Sequence, residues 1–322
     1  MNYIVKEKLV RFTKSATNLH RPDGSPNVFV FARPRGGSTW LTELILSQPT
    51  FKAIDEPLNL RHKRIRDELG LHTWESFYGE GATAALESYF GRICDGTLHV
   101  KDTNFFYNKH YRYLTRRIVF KMIHGGEDRI NWFRDTFNGR IVFLLRHPMA
   151  VSVSYEEICR LESFVNSSHR EHFTDQQLAF AEKVIRSGSF IERCVLSWCF
   201  EMAVPLRQIT DDWVVTSYEQ LVLEPAPVLK ELARKLELPD TDLMNKQLHV
   251  ASNSTYKSDE TTRQMLGNTK ARDHLVKKWR KKTTPEETRR AMAILEVFEL
   301  DTYTADGELP HKRYWIKADT QH

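Results

Sequence analysis

Val28-Phe-Val-Phe-Ala-Arg-Pro-Arg-Gly-Gly-Ser-Thr-Trp-Leu41 is the stretch from which the fold is read. Its first five residues are an uninterrupted run of β-formers, as expected of a strand covered on both faces. A tight turn with two adjacent glycines follows, and then Thr39–Ser47 carries Leu41, Leu44 and Ile45 on one side of a helix. Strand, glycine turn and helix in that order bring backbone N–H groups, two hydroxyls (Ser38, Thr39) and the positive end of a helix to one point. Such a point suits an anion. Arg35 adds a full positive charge. The GxxxxGK[ST] spacing of nucleotide triphosphatases is absent, and no lysine precedes the Ser-Thr pair.

Working outward, four more short apolar runs read as strands: Leu98–Lys101, Ile118–Met122, Ile141–Leu145 and Trp213–Ser217. The helical patterns between them suit right-handed crossovers of a parallel sheet. The expected architecture is therefore α/β, a three-layer P-loop-like fold with a central parallel sheet of about five strands flanked by helices. Pro227 lies in an amphipathic run with Val228, Leu229, Leu232 and Leu236, and Thr284-Pro285 with Glu287 reads as a capping box. No repeat or low-complexity linker divides the chain, so residues 1–322 are expected to form a single domain. Residues 55–94 and 160–194 are too long for simple crossovers and are expected to be acceptor-side insertions. The second opens on Ser163 and the polar run Asn166 to His169, which reads either as a lid or as a surface loop.

At 322 residues, with 41% hydrophobic and 28% charged, the chain has the composition of an ordered globular protein. A net charge of +5, spread along the chain, fits a small anionic ligand better than a nucleic acid. The basic run Lys277–Lys282 is read as a solvated helix end with Trp279 turned inward. Met1–His20 has no apolar run of signal-peptide length and no stretch approaches a membrane span, so a cytoplasmic location with no membrane span is expected. Cys94, Cys159, Cys194 and Cys199 have neither CxxC spacing nor paired histidines, which points away from a disulfide framework or zinc.

A second motif is Gly139-Arg-Ile-Val-Phe-Leu-Leu-Arg-His-Pro-Met-Ala-Val-Ser-Val-Ser-Tyr155. Arg146 leaves the end of a buried strand, Pro148 opens the next helix, and Ser152 and Ser154 are expected in its early turns. Arg146 and Ser154 can then meet one phosphate.

Together the two motifs resemble the sulfotransferases that use 3′-phosphoadenosine 5′-phosphosulfate (PAPS) and release 3′-phosphoadenosine 5′-phosphate (PAP). Pro34-Arg35-Gly36-Gly37-Ser38-Thr39-Trp40 is similar to that family's 5′-phosphosulfate loop, and Arg146 with Ser154 to its 3′-phosphate motif. Val214-Val-Thr-Ser-Tyr-Glu-Gln-Leu221, followed by Glu224-Pro225, is similar to the strand that reaches the adenine. The resemblance implies cofactor contacts from Arg35, Gly36, Gly37, Ser38, Thr39, Arg146 and Ser154, with Trp40 and Tyr218 beside the base. It also implies a C-terminal basic segment over the 3′-phosphate, for which Lys270 or Arg272 would serve, although the Arg-Lys-Gly signature is missing.

The implied reaction is sulfuryl transfer from PAPS to a hydroxyl of a saccharide, glycolipid or small natural product, and amine acceptors stay open. Such a transfer is positioning plus charge stabilisation and requires no metal. Many cytosolic members carry Lys at the position of Arg35, and Arg acts there as a bidentate electrostatic group only. Two bases are open. Asp55-Glu56-Pro57-Leu58-Asn59 resembles the Glu-Pro-Leu segment of carbohydrate-type members, which favours Glu56. Phe120-Lys121-Met-Ile-His124 is similar to the Lys-Thr-His of cytosolic members but one residue longer, which offers His124, with Lys121 steadying the sulfuryl. Lys101 and Asp102 are expected on the acceptor side. The competing classes are a P-loop kinase, which should show Gly-Lys-Ser/Thr and a metal-holding Asp, and a non-catalytic nucleotide-binding protein.

Overall fold

The structure, a computed structural model, describes residue 13 and residues 16–106, 108–250 and 272–317. Five strands form one parallel sheet: β1 Asn27–Ala32, β2 Phe51–Asp55, β3 Arg117–Met122, β4 Gly139–Leu145 and β5 Val214–Ser217. Their spatial order is β2-β3-β1-β4-β5. The register sets Phe31 beside Met122 on one flank of β1 and Phe31 beside Phe143 on the other. Strand pairing therefore brings the carboxyl ends of β1, β3 and β4 to one edge.

The continuous apolar runs are explained by two cores. Phe29, Phe31, Ile118, Phe120, Met122, Ile141 and Phe143 join one cluster, whereas Val28, Val30, Val119, Val142 and Leu144 join the other. Successive side chains on a strand point to opposite faces, so a sheet buried on both sides must be apolar at every position. Helix α1 (Ser38–Leu46) and the later α5 (Pro225–Leu236) cover the second face; α2 (Ala82–Cys94) and α4 (Phe190–Arg207) cover the first. Between these lies α3 (Pro148–Ser152), and α6 (Arg272–Lys277) and α7 (Pro285–Val297) follow near the C-terminus.

The expected number of strands is met, but one is a different segment. Leu98–Lys101 is not a strand; Phe51–Asp55 takes the place beside β3. The sequence of β2 hides its burial because Lys52 sits in the middle of it. Its ammonium is buried 3.6 Å from the Asp102 carboxylate, which also accepts from Asn18 at 2.8 Å and faces His99 at 3.3 Å. Asp102 is thus a buried partner of β2 and not an acceptor-side group. Burial outweighs that pairing and pulls the Lys52 ammonium below its usual range.

Candidate functional site

The chain leaves β1 toward β2 and, after β3, returns across it to β4. A crevice at the carboxyl ends of parallel strands is where such sheets bind ligands, at the point where the strand order reverses. Here it is a cleft of about 780 Å³. Arg35, Gly37, Ser38, Thr39, Trp40, Glu56, Lys121, His124, Arg146, Ser154 and Tyr218 all line it. Arg35, Arg146 and Tyr218, distant in the chain, are brought there by the pairing of β1, β4 and β5.

The loop after β1 is tightly shaped. The Gly36 N–H donates to the Arg33 carbonyl at 3.0 Å, and a Cβ at Gly36 would stand 2.8 Å from that same oxygen. Arg35 has φ 65° and Gly37 φ 93°, two left-handed residues around one turn. Gly37 caps α1, and a Cβ there would stand 2.5 Å from Cδ2 of Tyr218. Tyr218 therefore packs directly on the loop. Its ring also carries the Arg146 guanidinium, 4.1 Å from the centroid, and meets Trp40 edge-on at 6.2 Å. Arg146 in turn donates to the Arg35 carbonyl.

Arg146 Nε and Trp40 Nε1 are buried N–H groups with no acceptor among the described residues. Orphaned donors in a cationic cleft wall suit an anionic, ring-bearing ligand. Ser154 lies two residues beyond α3, its hydroxyl donating to the Val151 carbonyl at 2.7 Å. Behind Arg146, buried His147 stacks on Trp279 at 4.5 Å, and its Nε2 is 3.1 Å from the Gly307 carbonyl. Trp279 is indeed turned inward, at 1% exposure.

A second group of charges lies beside the loop. Lys121 Nζ donates to Asp55 at 2.7 Å, to Thr39 Oγ1 at 3.1 Å and to Glu56 at 3.2 Å. It bridges the loop and the carboxylates. Glu56, at φ 54°, also accepts from Asn59 at 2.9 Å and faces His124 Nε2 at 3.5 Å. Burial alone would raise the Glu56 carboxyl, but the hydrogen bond from His124 and the charge of Lys121 outweigh it and hold the group well below the usual carboxylate range. Lys121 is likewise opposed by burial, yet Asp55 and Glu56 keep it above the usual lysine value. Glu56 is thus firmly ionised and Lys121 firmly charged.

Arg272 does not line the cleft; it is buried, with Nη2 3.2 Å from His249 Nδ1. Lys270 lies outside the described residues. Lys278 and Lys282 line the cleft. Lys101 faces His62 at 3.2 Å. Of the long segments, 55–94 contributes Glu56, Asn59 and Arg61 to the lining and 160–194 contributes Arg160, while Ser163 and His169 are buried. Arg33, Tyr155, Ser197 and Glu201 also line the cleft. The signal for Arg33 was a charge at the end of an apolar strand; Ser197 and Glu201 share one face of α4, which looks like any amphipathic helix.

Among the described residues, no group of three or more His, Cys, Asp or Glu is placed to hold a metal, and no helix is long and apolar enough to cross a membrane. No curated protein matches the sequence. Among solved structures, the sulfotransferase domain from the Synechococcus PCC 7002 olefin synthase is 19% identical, over 89% of this chain and 98% of that one, with a TM-score of 0.39. The sulfotransferase domain from the curacin biosynthetic pathway is 18% identical over 84% and 98%, with a TM-score of 0.39. The sulfotransferase STF9 from Mycobacterium avium is 12% identical over 79% and 73%, with a TM-score of 0.37. Residues 130–304, which run from before β4 through Arg146, Tyr218 and Trp279, match the family model described as "Sulfotransferase domain". With more than half of the sequence inside that match, the chain belongs to the sulfotransferase domain family.

Proposed function

We propose that this protein transfers a sulfuryl group from PAPS to a hydroxyl of a saccharide, glycolipid or small natural product. The observation that carries the reading is the meeting of the Arg35–Thr39 loop and Arg146 in one cleft, with Glu56, Lys121 and His124 beside them. In this reading the donor supplies an activated sulfuryl group with PAP as its leaving group. The loop N–H groups, Ser38 and Thr39 hold the 5′-phosphate side, where negative charge grows during transfer. Arg146 and Ser154 take the 3′-phosphate, and Trp40 and Tyr218 border the adenine. Lys278 and Lys282 join them as cations of the C-terminal wall.

Proton removal falls to His124. A carboxylate held as low as Glu56 is a weak base. Glu56, 3.5 Å from His124 Nε2, then orients the ring and stabilises the imidazolium once His124 is protonated. Lys121 touches both Thr39 and Glu56 and so places a positive charge between donor and acceptor.

The test is thermal unfolding of the purified protein alone, with PAP, and with ATP plus magnesium. A ligand of the folded state adds about 2.7 kcal/mol at a hundred times its Kd. PAP is expected to stabilise, ATP not, and Arg146→Ala to remove the effect. Stabilisation by ATP without PAP would overturn the reading in favour of a kinase.

A further inference from the structure

The proposed base carries a contact that neither the phosphate loop nor the Glu56 pair uses. His124 lies two residues past the end of β3, lines the cleft and is buried. Its Nε2 stands 3.5 Å from the Glu56 carboxylate, and among the described residues its Nδ1 has no hydrogen-bond partner. A tryptophan covers the ring. The Trp74 indole sits 5.9 Å from the imidazole, centroid to centroid, with the two planes at 38°. Trp74 belongs to the segment between β2 and α2 and does not line the cleft, so it backs the imidazole from the side away from the opening.

Trp74 is held in turn. Phe77 meets it at 6.1 Å, and the Arg160 guanidinium stands 5.7 Å from its ring. Arg160 is buried and is itself fixed, by an ion pair to Glu127 and a hydrogen bond to the Tyr78 hydroxyl at 2.6 Å. The same segment packs on the turn after the base, where a Cβ at Gly125 would meet Leu58 at 3.4 Å and Phe77 at 3.5 Å.

An imidazole turns about a broad two-fold torsion, and turning over puts a carbon where a nitrogen stood. Which nitrogen carries the proton in the neutral ring is set by the hydrogen bond that the ring makes. Glu56 is ionised and only accepts, so it calls for a proton on Nε2 and leaves Nδ1 bare. One contact at the edge leaves the ring free to rock about it. An aromatic wall on the face removes that freedom.

We propose that Trp74 is a positioning residue for His124: with Glu56 at Nε2 and Trp74 against the ring, the imidazole is held with its bare Nδ1 toward the acceptor. This rests on the sulfotransferase reading above. The acceptor oxygen forms the new bond to sulfur as the bond from sulfur to the bridging phosphate oxygen breaks; its proton passes to Nδ1, and PAP departs with the electron pair. The Nε2–H stays on Glu56. Arg160 and Glu127 act only through Trp74.

The experiment uses the full chain carrying isotope-labelled histidine, and long-range proton–nitrogen correlation spectra that tell the two neutral tautomers apart. The His124 signals are those missing from His124→Gln. The wild type is expected to show one neutral tautomer, protonated at Nε2. Trp74→Ala should show both in exchange, and Trp74→Phe, which keeps an aromatic wall, should show one again. A residue that only filled space would change stability and leave the tautomer alone. With radiolabelled PAPS, and water, 4-nitrophenol and glucose as hydroxyl acceptors, the rate at which label leaves PAPS should fall about tenfold in Trp74→Ala and largely recover in Trp74→Phe, with the KM for PAPS within about twofold in both. Retained stabilisation by PAP shows that each variant is folded. The proposal is overturned if the wild type carries the proton on Nδ1 or shows both tautomers, or if Trp74→Ala leaves either the tautomer or the transfer rate unchanged. Absence of any stabilisation of the wild type by PAP would instead remove the donor reading, and this proposal with it.

Discussion

At the scale of single residues, the proposed chemistry turns on a carboxylate and an imidazole 3.5 Å apart. If His124 takes the proton and Glu56 supports it, His124→Ala should lower kcat by about 10²–10⁴, and Glu56→Gln by less, with PAP binding unchanged in both. Initial rates at saturating PAPS decide between them. Near-normal turnover in His124→Ala, with Glu56→Gln inactive, would reverse the roles. Gly37 makes a second case, because its φ of 93° and its contact with Tyr218 leave no place for a methyl group. Gly37→Ala should therefore displace Tyr218, on whose ring Arg146 rests. The expected outcome is a loss of PAP stabilisation together with about 1–3 kcal/mol of fold stability, read by thermal and urea unfolding. The tight turn of the loop was legible from its adjacent glycines, of which Gly37 is left-handed at the start of α1. The Lys121–Thr39 contact was not, since it depends on β3 lying next to β1.

At the scale of elements, local signals and tertiary pairing part company. Helix α7 begins as its sequence expects: Thr284 accepts from the Glu287 N–H, Glu287 reaches back to the Thr284 N–H, and Pro285 occupies the first turn. Thr284→Ala removes that cap, whose residue does not line the cleft, and should cost about 1 kcal/mol in urea unfolding. PAP stabilisation should persist. Strand β2 behaves in the opposite way. Phe51-Lys-Ala-Ile-Asp55 is a poor strand by composition, while Leu98–Lys101 is an attractive one. What decides is that Lys52 meets a buried carboxylate from a distant segment, which makes its burial tolerable. With Leu98 and Val100 buried, the rejected segment keeps its apolar role and meets β2 through the Asp55 N–H, which donates to the Lys101 carbonyl at 2.9 Å.

For the whole molecule, buried titratable groups set the response to acid. Burial pulls His147 down to about 3, and His20 and His110 down to about 4. The unfolded chain protonates its histidines near 6.5, so below that pH it binds more protons than the folded one. Stability must therefore fall as pH drops from 6.5 toward those folded values, by about 1.4 kcal/mol per pH unit for each histidine. Glu127 adds to this lower down: burial would raise it, but the Arg160 charge holds it at about 2. Its contribution is present above 4.5 and lost between 4.5 and 2. Urea unfolding from pH 7.5 to 4 should show the decline beginning near 6.5. A flat stability from pH 7 to 5 would show that these histidines are not buried neutral.

The sequence by itself determined the layered α/β class, because an apolar residue at every position of a strand requires cover on both faces. It also determined the tight turn after β1, whose residues are consecutive and act through their own backbone. Only the tertiary structure decided which segment became β2, which charges face one another, and which side chains wall the acceptor half. Those outcomes depend on pairs such as Lys52–Asp102, Glu56–His124 and Arg33–Glu201, which lie far apart in the chain. A local pattern records the burial that a residue needs. The partner that makes the burial of a charge tolerable is chosen only when the sheet assembles.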